Sequence, residues 1–245
     1  MKIALRNIVF LSLGTLWFGL AMPLSAETVY DNSVNDLQIR FTLPTSGTST
    51  LEVGDEITLG GTDRYISFFD FEYWASATAA SFAGDVEARV RFYVNDGAPS
   101  QGYNTPNATP FWDSGWFGNA GGTIFHPTDS YPFRDTIYFS GADFPTGTLL
   151  PSSSMTWTVQ FQGLGAGDVV GLDLYNPPVV GEAVGDFGDY WQNDGAGNWT
   201  LLTNSAGIMN FGATMQATPE PSSLALSLLG GVSLLIAMRR FRQNK

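Results

Sequence analysis

Residues Val86-Glu87-Ala88-Arg89-Val90-Arg91-Phe92-Tyr93-Val94 alternate apolar with polar or charged side chains along their whole length. A period of two belongs to an extended strand with one face on a core and the other in water. The same alternation recurs at Leu37, Ile39, Phe41 and Leu43, at Met155, Trp157, Val159 and Phe161, and at Met209, Phe211, Ala213 and Met215. Less regular strand candidates are residues 56–59, 64–74, 136–139 and 169–175. Turn formers separate the runs: Val53-Gly54-Asp55, Asn95-Asp96-Gly97, the Gly-rich stretch 163–168, and Asn193-Asp194-Gly195. Asp-Gly steps supply the positive φ angles that tight turns require. Tyr190-Trp191 and Trp199 to Leu202 flank the last turn and are expected to pair as a hairpin. No stretch between residues 27 and 217 carries a capped apolar stripe of helical period. Many short, one-sided strands with abundant glycine predict an all-β body, a single β-sandwich of jelly-roll type over residues 27–217. The segment from Pro99 to Asp135, rich in Gly, Pro, Asn and aromatics, reads as loops laid over one end of that sandwich.

The two ends read differently. Lys2 and Arg6 precede a charge-free apolar stretch from Ile8 to Ala21, and Leu24-Ser25-Ala26 places a small residue before Glu27. That order predicts a secretory signal peptide over residues 1–26, cut between Ala26 and Glu27. Residues 218–245 hold Pro219-Glu220-Pro221, an uncharged run from Leu224 to Met238, and a basic tail, 239–245, with Arg239, Arg240, Arg242 and Lys245. As a helix the apolar run would span roughly 22 Å, short of the roughly 30 Å hydrocarbon core. Ser222, Ser223 and snorkelling arginines are needed to complete a transmembrane helix. Pro219 and Pro221 cannot propagate a helix from upstream, so body and tail are separate units.

Charge gives the same topology. Of 11 basic residues, six lie in the two ends, so the body from Glu27 to Glu220 keeps 5 arginines, no lysine and all 23 acids, a net of −18. Cations stand only on the flanks that the positive-inside rule assigns to the cytoplasm, which leaves the acidic body outside. Such a body excludes nucleic acid and anionic lipid as partners, since both need the opposite sign. Cysteine is absent, which removes thiol nucleophiles and thiolate metal sites.

The order of a Pro-Glu-Pro tripeptide, a short apolar helix and an arginine-rich end resembles the PEP-CTERM sorting signal of Gram-negative bacteria, from Thr218 to Arg242. The resemblance implies that Pro219, Glu220, Pro221, Arg239, Arg240 and Arg242 form a sorting motif, cut near the tripeptide by an integral-membrane exosortase. It further implies use of the export machinery and an inner-membrane intermediate with the body in the periplasm. Delivery to the cell surface or extracellular matrix of biofilm-forming, exopolysaccharide-producing cells would follow. Tyr30-Asp31-Asn32, Leu51 to Ile57 and Trp199 to Leu202 look like domains found upstream of such tails, and that likeness implies no activity. The competing reading is a plain membrane-anchored protein whose tail is never cut.

Chemistry is sparse in the body, and no enzyme is expected. His126 is the one histidine, with no Gly-x-Ser-x-Gly nucleophile to serve, and no phosphate loop or dinucleotide-binding glycine motif is present. A cryptic glycoside hydrolase needs only two carboxylates, for which Glu72 and Glu87 are the candidates. Trp112 and Trp116, flanked by polar residues and glycine, are candidates for carbohydrate contact and would make the body a binding module for exopolysaccharide. Asp186, Asp189 and Asp194 in a Gly-rich segment are candidate Ca2+ ligands, the one cofactor weighed. The leading expectation is a surface- or matrix-associated structural or adhesive protein.

Overall fold

The computed structural model describes residues 25–79, 81–118, 124–125, 133–145, 147–151, 154–183, 189–203 and 209–219. The apolar N-terminal stretch, the predicted transmembrane helix and the basic tail lie outside the described residues. The fold is all-β. Among the described residues there is no helix, hence none long and apolar enough to cross a membrane. The strands up to the middle of the chain are β1 (Glu27–Asp31), β2 (Asp36–Thr42), β3 (Thr45–Ser46), β4 (Ser49–Thr50), β5 (Glu52–Thr58), β6 (Tyr65–Ala77), β7 (Glu87–Val94), β8 (Pro99–Ser100) and β9 (Tyr103–Asn104). Then come β10 (Trp112–Asp113), β11 (Phe133–Ser140), β12 (Ser154–Gln162), β13 (Asp168–Tyr175), β14 (Glu182–Ala183), β15 (Asp189–Asn193), β16 (Trp199–Thr203) and β17 (Ala213–Thr218).

β6 organises the first sheet. One edge takes β11, from Phe133 opposite Ala75 to Ser140 opposite Phe68. The other edge is shared by β17, opposite Tyr65 to Phe71, and β13, opposite Tyr73 to Ala77. β1 adds to β17 and β2 to β13, so the sheet forks beside β6. Asn32 is buried in the fork, its Nδ2 donating to the carbonyls of Tyr175 and Phe211, both at 3.1 Å. Gly171 lets three strands close up there: a Cβ would stand 2.1 Å from the Phe41 carbonyl oxygen and 2.5 Å from Trp74 Nε1.

The second sheet runs β10-β7-β12-β5-β15-β16. Its inner face meets that of the first across a shared aromatic core. Phe69 lies 5.0 Å from Phe92 and 5.4 Å from Trp157, ring centre to ring centre, and Phe71 lies 5.7 Å from Trp157. The alternation read in the sequence assigns most of these rows: Val90, Phe92, Trp157, Val159, Ala213 and Met215 are all buried. β2 departs from it, since Ile39 is 53% exposed and Leu37 and Phe41 are only half-buried, in a strand whose register shifts at a bulge against β13. The hairpin expected around Asp194-Gly195 forms, with Trp191 opposite Leu201.

Three expectations are corrected. Gly54 is no turn residue but lies inside β5, where a Cβ would stand 2.4 Å from the Trp157 carbonyl oxygen; close strand approach is its role. Residues 107–118 and 124–125 do not cap one end but follow the edge of β7, with Asn107, Phe111, Ser114, Phe117 and Ile124 amides bonded to β7 or its flanking carbonyls. The polar face of β12 is not wet: Thr156 and Thr158 are fully buried. Thr158 Oγ1 donates to Glu52 at 2.6 Å, as do Tyr93 Oη at 2.8 Å and Arg91 Nη1 at 2.6 Å, so this outer face is polar and gathered around one buried carboxylate.

Candidate functional site

The outer face of the first sheet is built from alternate residues that the same period-two rule turns away from the core. Glu72 and Trp74 come from β6, Arg134 from β11, Asp173 and Tyr175 from β13, and Asp36 and Arg40 from β2. Register sets them side by side: Arg134 and Gly171 flank Trp74, and Asp173 stands opposite Arg40. Trp74 is 8% exposed and forms a floor, with the Arg40 guanidinium 5.5 Å above its ring centre.

Arg134 gathers the groups above that floor. Its Nη1 donates to Asp36 at 2.9 Å, its Nε lies 3.2 Å from Asp173, and its Nη2 bonds Glu72 and, at 2.9 Å, the Tyr175 hydroxyl. Tyr175 Oη in turn donates to Glu72 at 3.0 Å. Arg40 is held more loosely, with its Nε 3.5 Å from Asp173. Burial pushes the Asp173 carboxyl up to about 6, with the Glu72 charge adding to the rise and Arg134 and Arg40 opposing it. At Asp36 burial acts upward too, but the Gln38 amide and Arg134 outweigh it and leave the group below the usual carboxylate range. Above these side chains opens a basin of about 420 Å³ lined by Asp36, Gln38, Arg40, Arg134 and Asp173. A smaller hollow of about 100 Å³ lies on the same face, lined in part by Asp70, Glu72, Thr136 and Tyr175. Four residues along β11 from Arg134, Tyr138 stands 70% exposed.

Of the residues singled out in the sequence, only Glu72 falls in this site, tied to Arg134 and Tyr175. Glu87 lies on the other sheet and accepts from Gln162 Nε2 at 2.5 Å. Trp112 is not available to a sugar: it is buried, with Phe92, Phe144 and Phe139 rings 4.6, 4.9 and 5.2 Å from its own. Strand pairing turns Trp112 inward and its polar neighbour Asp113 outward, the reverse of what polar flanks suggest. Trp116 is half-buried, 5.8 Å beneath the Arg89 guanidinium. Asp186 lies outside the described residues. Asp189 and Asp194 are separated by the length of β15, roughly 16 Å for five extended residues, and Asp194 accepts from Ala196 N, Asn198 N and Asn198 Nδ2 to close the hairpin turn. Among the described residues, no group of three or more His, Cys, Asp or Glu side chains is placed to hold a metal ion.

At the ends of the body, Glu27 opens β1 and its carboxylate accepts from the amides of Thr62 at 3.1 Å and Asp63 at 3.3 Å, while the preceding Ala26 is exposed. Pro219 follows β17 directly; Glu220, Pro221, Arg239, Arg240 and Arg242 lie outside the described residues. Asp36, Arg40, Arg134, Asp173 and Tyr175 escape sequence reasoning because four strands distant in the chain bring them together. The one signal available is scarcity, since a body with 5 arginines places two of them here. No protein family, curated protein or solved structure matches the chain.

Proposed function

We propose that this is an exported structural or adhesive protein of the cell surface or exopolysaccharide matrix, sorted by an exosortase through a PEP-CTERM tail. In this reading the body is a β-sandwich of jelly-roll type, residues 1–26 are removed on export, and the helix at 224–238 holds an inner-membrane intermediate with the body in the periplasm. The observation that supports it is the pairing of the two ends: Glu27 stands opposite Ala217, so the predicted leader and the Pro-Glu-Pro segment leave the body side by side. Two membrane segments that start together can enter one bilayer without stretching or threading the body between them. The charge distribution agrees, since each arginine of the body lies near internal acceptors and Arg40 alone is held loosely. Arg40, Arg89, Arg91 and Arg134 pair with acids, and Arg64 donates to the carbonyls of Gly60, Gly61 and Asp63.

Intact-mass measurement of protein released from the cell surface tests both processing steps at once. The expected species begins at Glu27 and ends before Leu224. Recovery of chains that retain Lys245 and remain in the membrane would leave a plain anchor in place of a sorted protein.

A further inference from the structure

The two outer faces of the body differ. On the second sheet Thr158, Tyr93 and Arg91 all turn onto the buried carboxylate of Glu52. On the first sheet the outer face is left open, and it keeps hydrogen-bonding groups in reserve. Arg40 is 41% exposed along its side chain, and among the described residues neither of its terminal nitrogens has a hydrogen-bond partner; its contacts there are the 3.5 Å approach of Nε to Asp173 and the Trp74 ring below. Gln38 is exposed on the rim, and among the described residues its carboxamide likewise has no partner, although its backbone amide donates to Asp36. Its φ of +58 is one that a residue with a Cβ rarely adopts. The positive φ falls where β2 bulges against β13, between Asp36 and Ile39, and it brings the Gln38 carboxamide to the rim of the basin.

We propose that this face binds a neutral polysaccharide chain, with sugar hydroxyls bonded by Arg40, Gln38 and Asp36 and a further sugar ring laid against Tyr138. Planar groups with paired donors or acceptors match the spacing of vicinal hydroxyls, as a fork matches a carboxylate. Tyr138 supplies an apolar ring about 13 Å along the strand from Arg134, the reach of two to three sugar units, for four residues of extended chain. The intervening hollow is lined in part by Ser33, Thr136, Tyr175 and Thr214. Charge selects the class of chain: Asp36, Asp70, Glu72 and Asp173 outnumber Arg40 and Arg134 on this face, so uronate- or phosphate-bearing polymers are repelled. The same excess disfavours a second copy of the body, which carries −18 over Glu27 to Glu220. The inference deepens the surface reading above and rests on it for the source of the chain.

Native affinity electrophoresis of the full-length protein in mild detergent tests it, with gels carrying dextran, galactomannan, hydroxyethylcellulose or alginate. Retardation by at least one neutral polymer and none by alginate is expected. Arg40→Gln and Gln38→Gly should each weaken that retardation about tenfold, the loss of one or two hydrogen bonds, while Trp116→Ala leaves it unchanged. Gln38→Gly should also raise the melting temperature, because glycine accepts the positive φ without strain. Mobility unaffected by all three neutral polymers overturns the proposal, as does retardation that survives both face variants. Protease shaving of intact cells separates the two readings: a surface-exposed protein that ignores neutral glycans sinks this inference alone, and a protein absent from the surface sinks the sorting function whatever the gels show.

Discussion

Asp55 is a carboxyl inside the aromatic core, beside Trp157 across the strand pair and bonded at 3.3 Å by the Phe211 amide. Burial pushes its pKa well up, with Asp189 and Glu56 adding repulsion, and Asp70 and Asp173 are raised for the same leading reason. A carboxyl whose pKa is higher folded than unfolded binds its proton more readily in the native state. Stability from these groups is therefore present at low pH and is lost as pH rises, for Asp173 through about 6. Asp36 and Asp113 act oppositely, since both are held low by arginine and amide partners that outweigh burial, and their contribution disappears as pH falls through their depressed values. Thermal unfolding followed by circular dichroism should accordingly show a higher melting temperature near pH 5 than near pH 7, then a fall below about pH 4, the ordinary carboxylate range. A melting temperature that only declines on acidification from pH 7 would contradict this balance. Asp55→Asn, which keeps an acceptor for the Phe211 amide and removes the buried ionisable group, should raise stability at pH 7 and flatten the pH profile. None of this was legible in the sequence, where Asp55 next to Gly54 reads as part of a turn.

β6 shows how far an element can be read from its own residues. The alternation along 64–74 marks a strand, but nothing local says that its thirteen residues, Tyr65–Ala77, serve two partners on one edge. The fork depends on Asn32, a residue with no local signature, whose amide holds the end of β13 to the start of β17. Asn32→Ala would leave two buried carbonyls without a donor and should cost about 1–3 kcal/mol in chemical denaturation, against near-neutral change for exposed Val34→Ala. Gly54→Ala tests the close approach of β5 to β12. With a Cβ set 2.4 Å from a backbone oxygen, the strands must part, at a cost of about 1–3 kcal/mol by analogy with overpacked cores. A Gly54→Ala variant as stable as the parent would show that the contact relaxes freely. The strands with one dry and one wet face were readable because burial on one side imposes a strict period. β12 was misread on its polar side because threonine is equally at home in water and against a buried carboxylate, and only the distant Glu52 decides which.

Across the molecule, 5 arginines answer 23 acids between Glu27 and Glu220, so repulsion within the folded body exceeds what its ion pairs return. Screening weakens the dispersed repulsion among exposed acids more than it weakens short, half-buried pairs such as Arg91 with Glu52. Raising salt from about 20 to 300 mM, a shortening of the screening length by several-fold, should therefore raise the melting temperature, and a decrease would place the weight on the ion pairs instead. The sign of the body was legible from charge counting alone, whereas the face that carries the site was not, because it exists only once β2, β6, β11 and β13 are neighbours. The position of β17 has a mechanical consequence. Its bonds run to β1 on one side and to β6 on the other, and the tail departs from its end at Thr218. Tension on that tail acts along the strand, loading two rows of hydrogen bonds in shear together and not peeling them singly. On the function proposed above, a body held by this end should resist drag, and single-molecule pulling through Thr218 should give an abrupt high-force rupture in place of gradual unzipping.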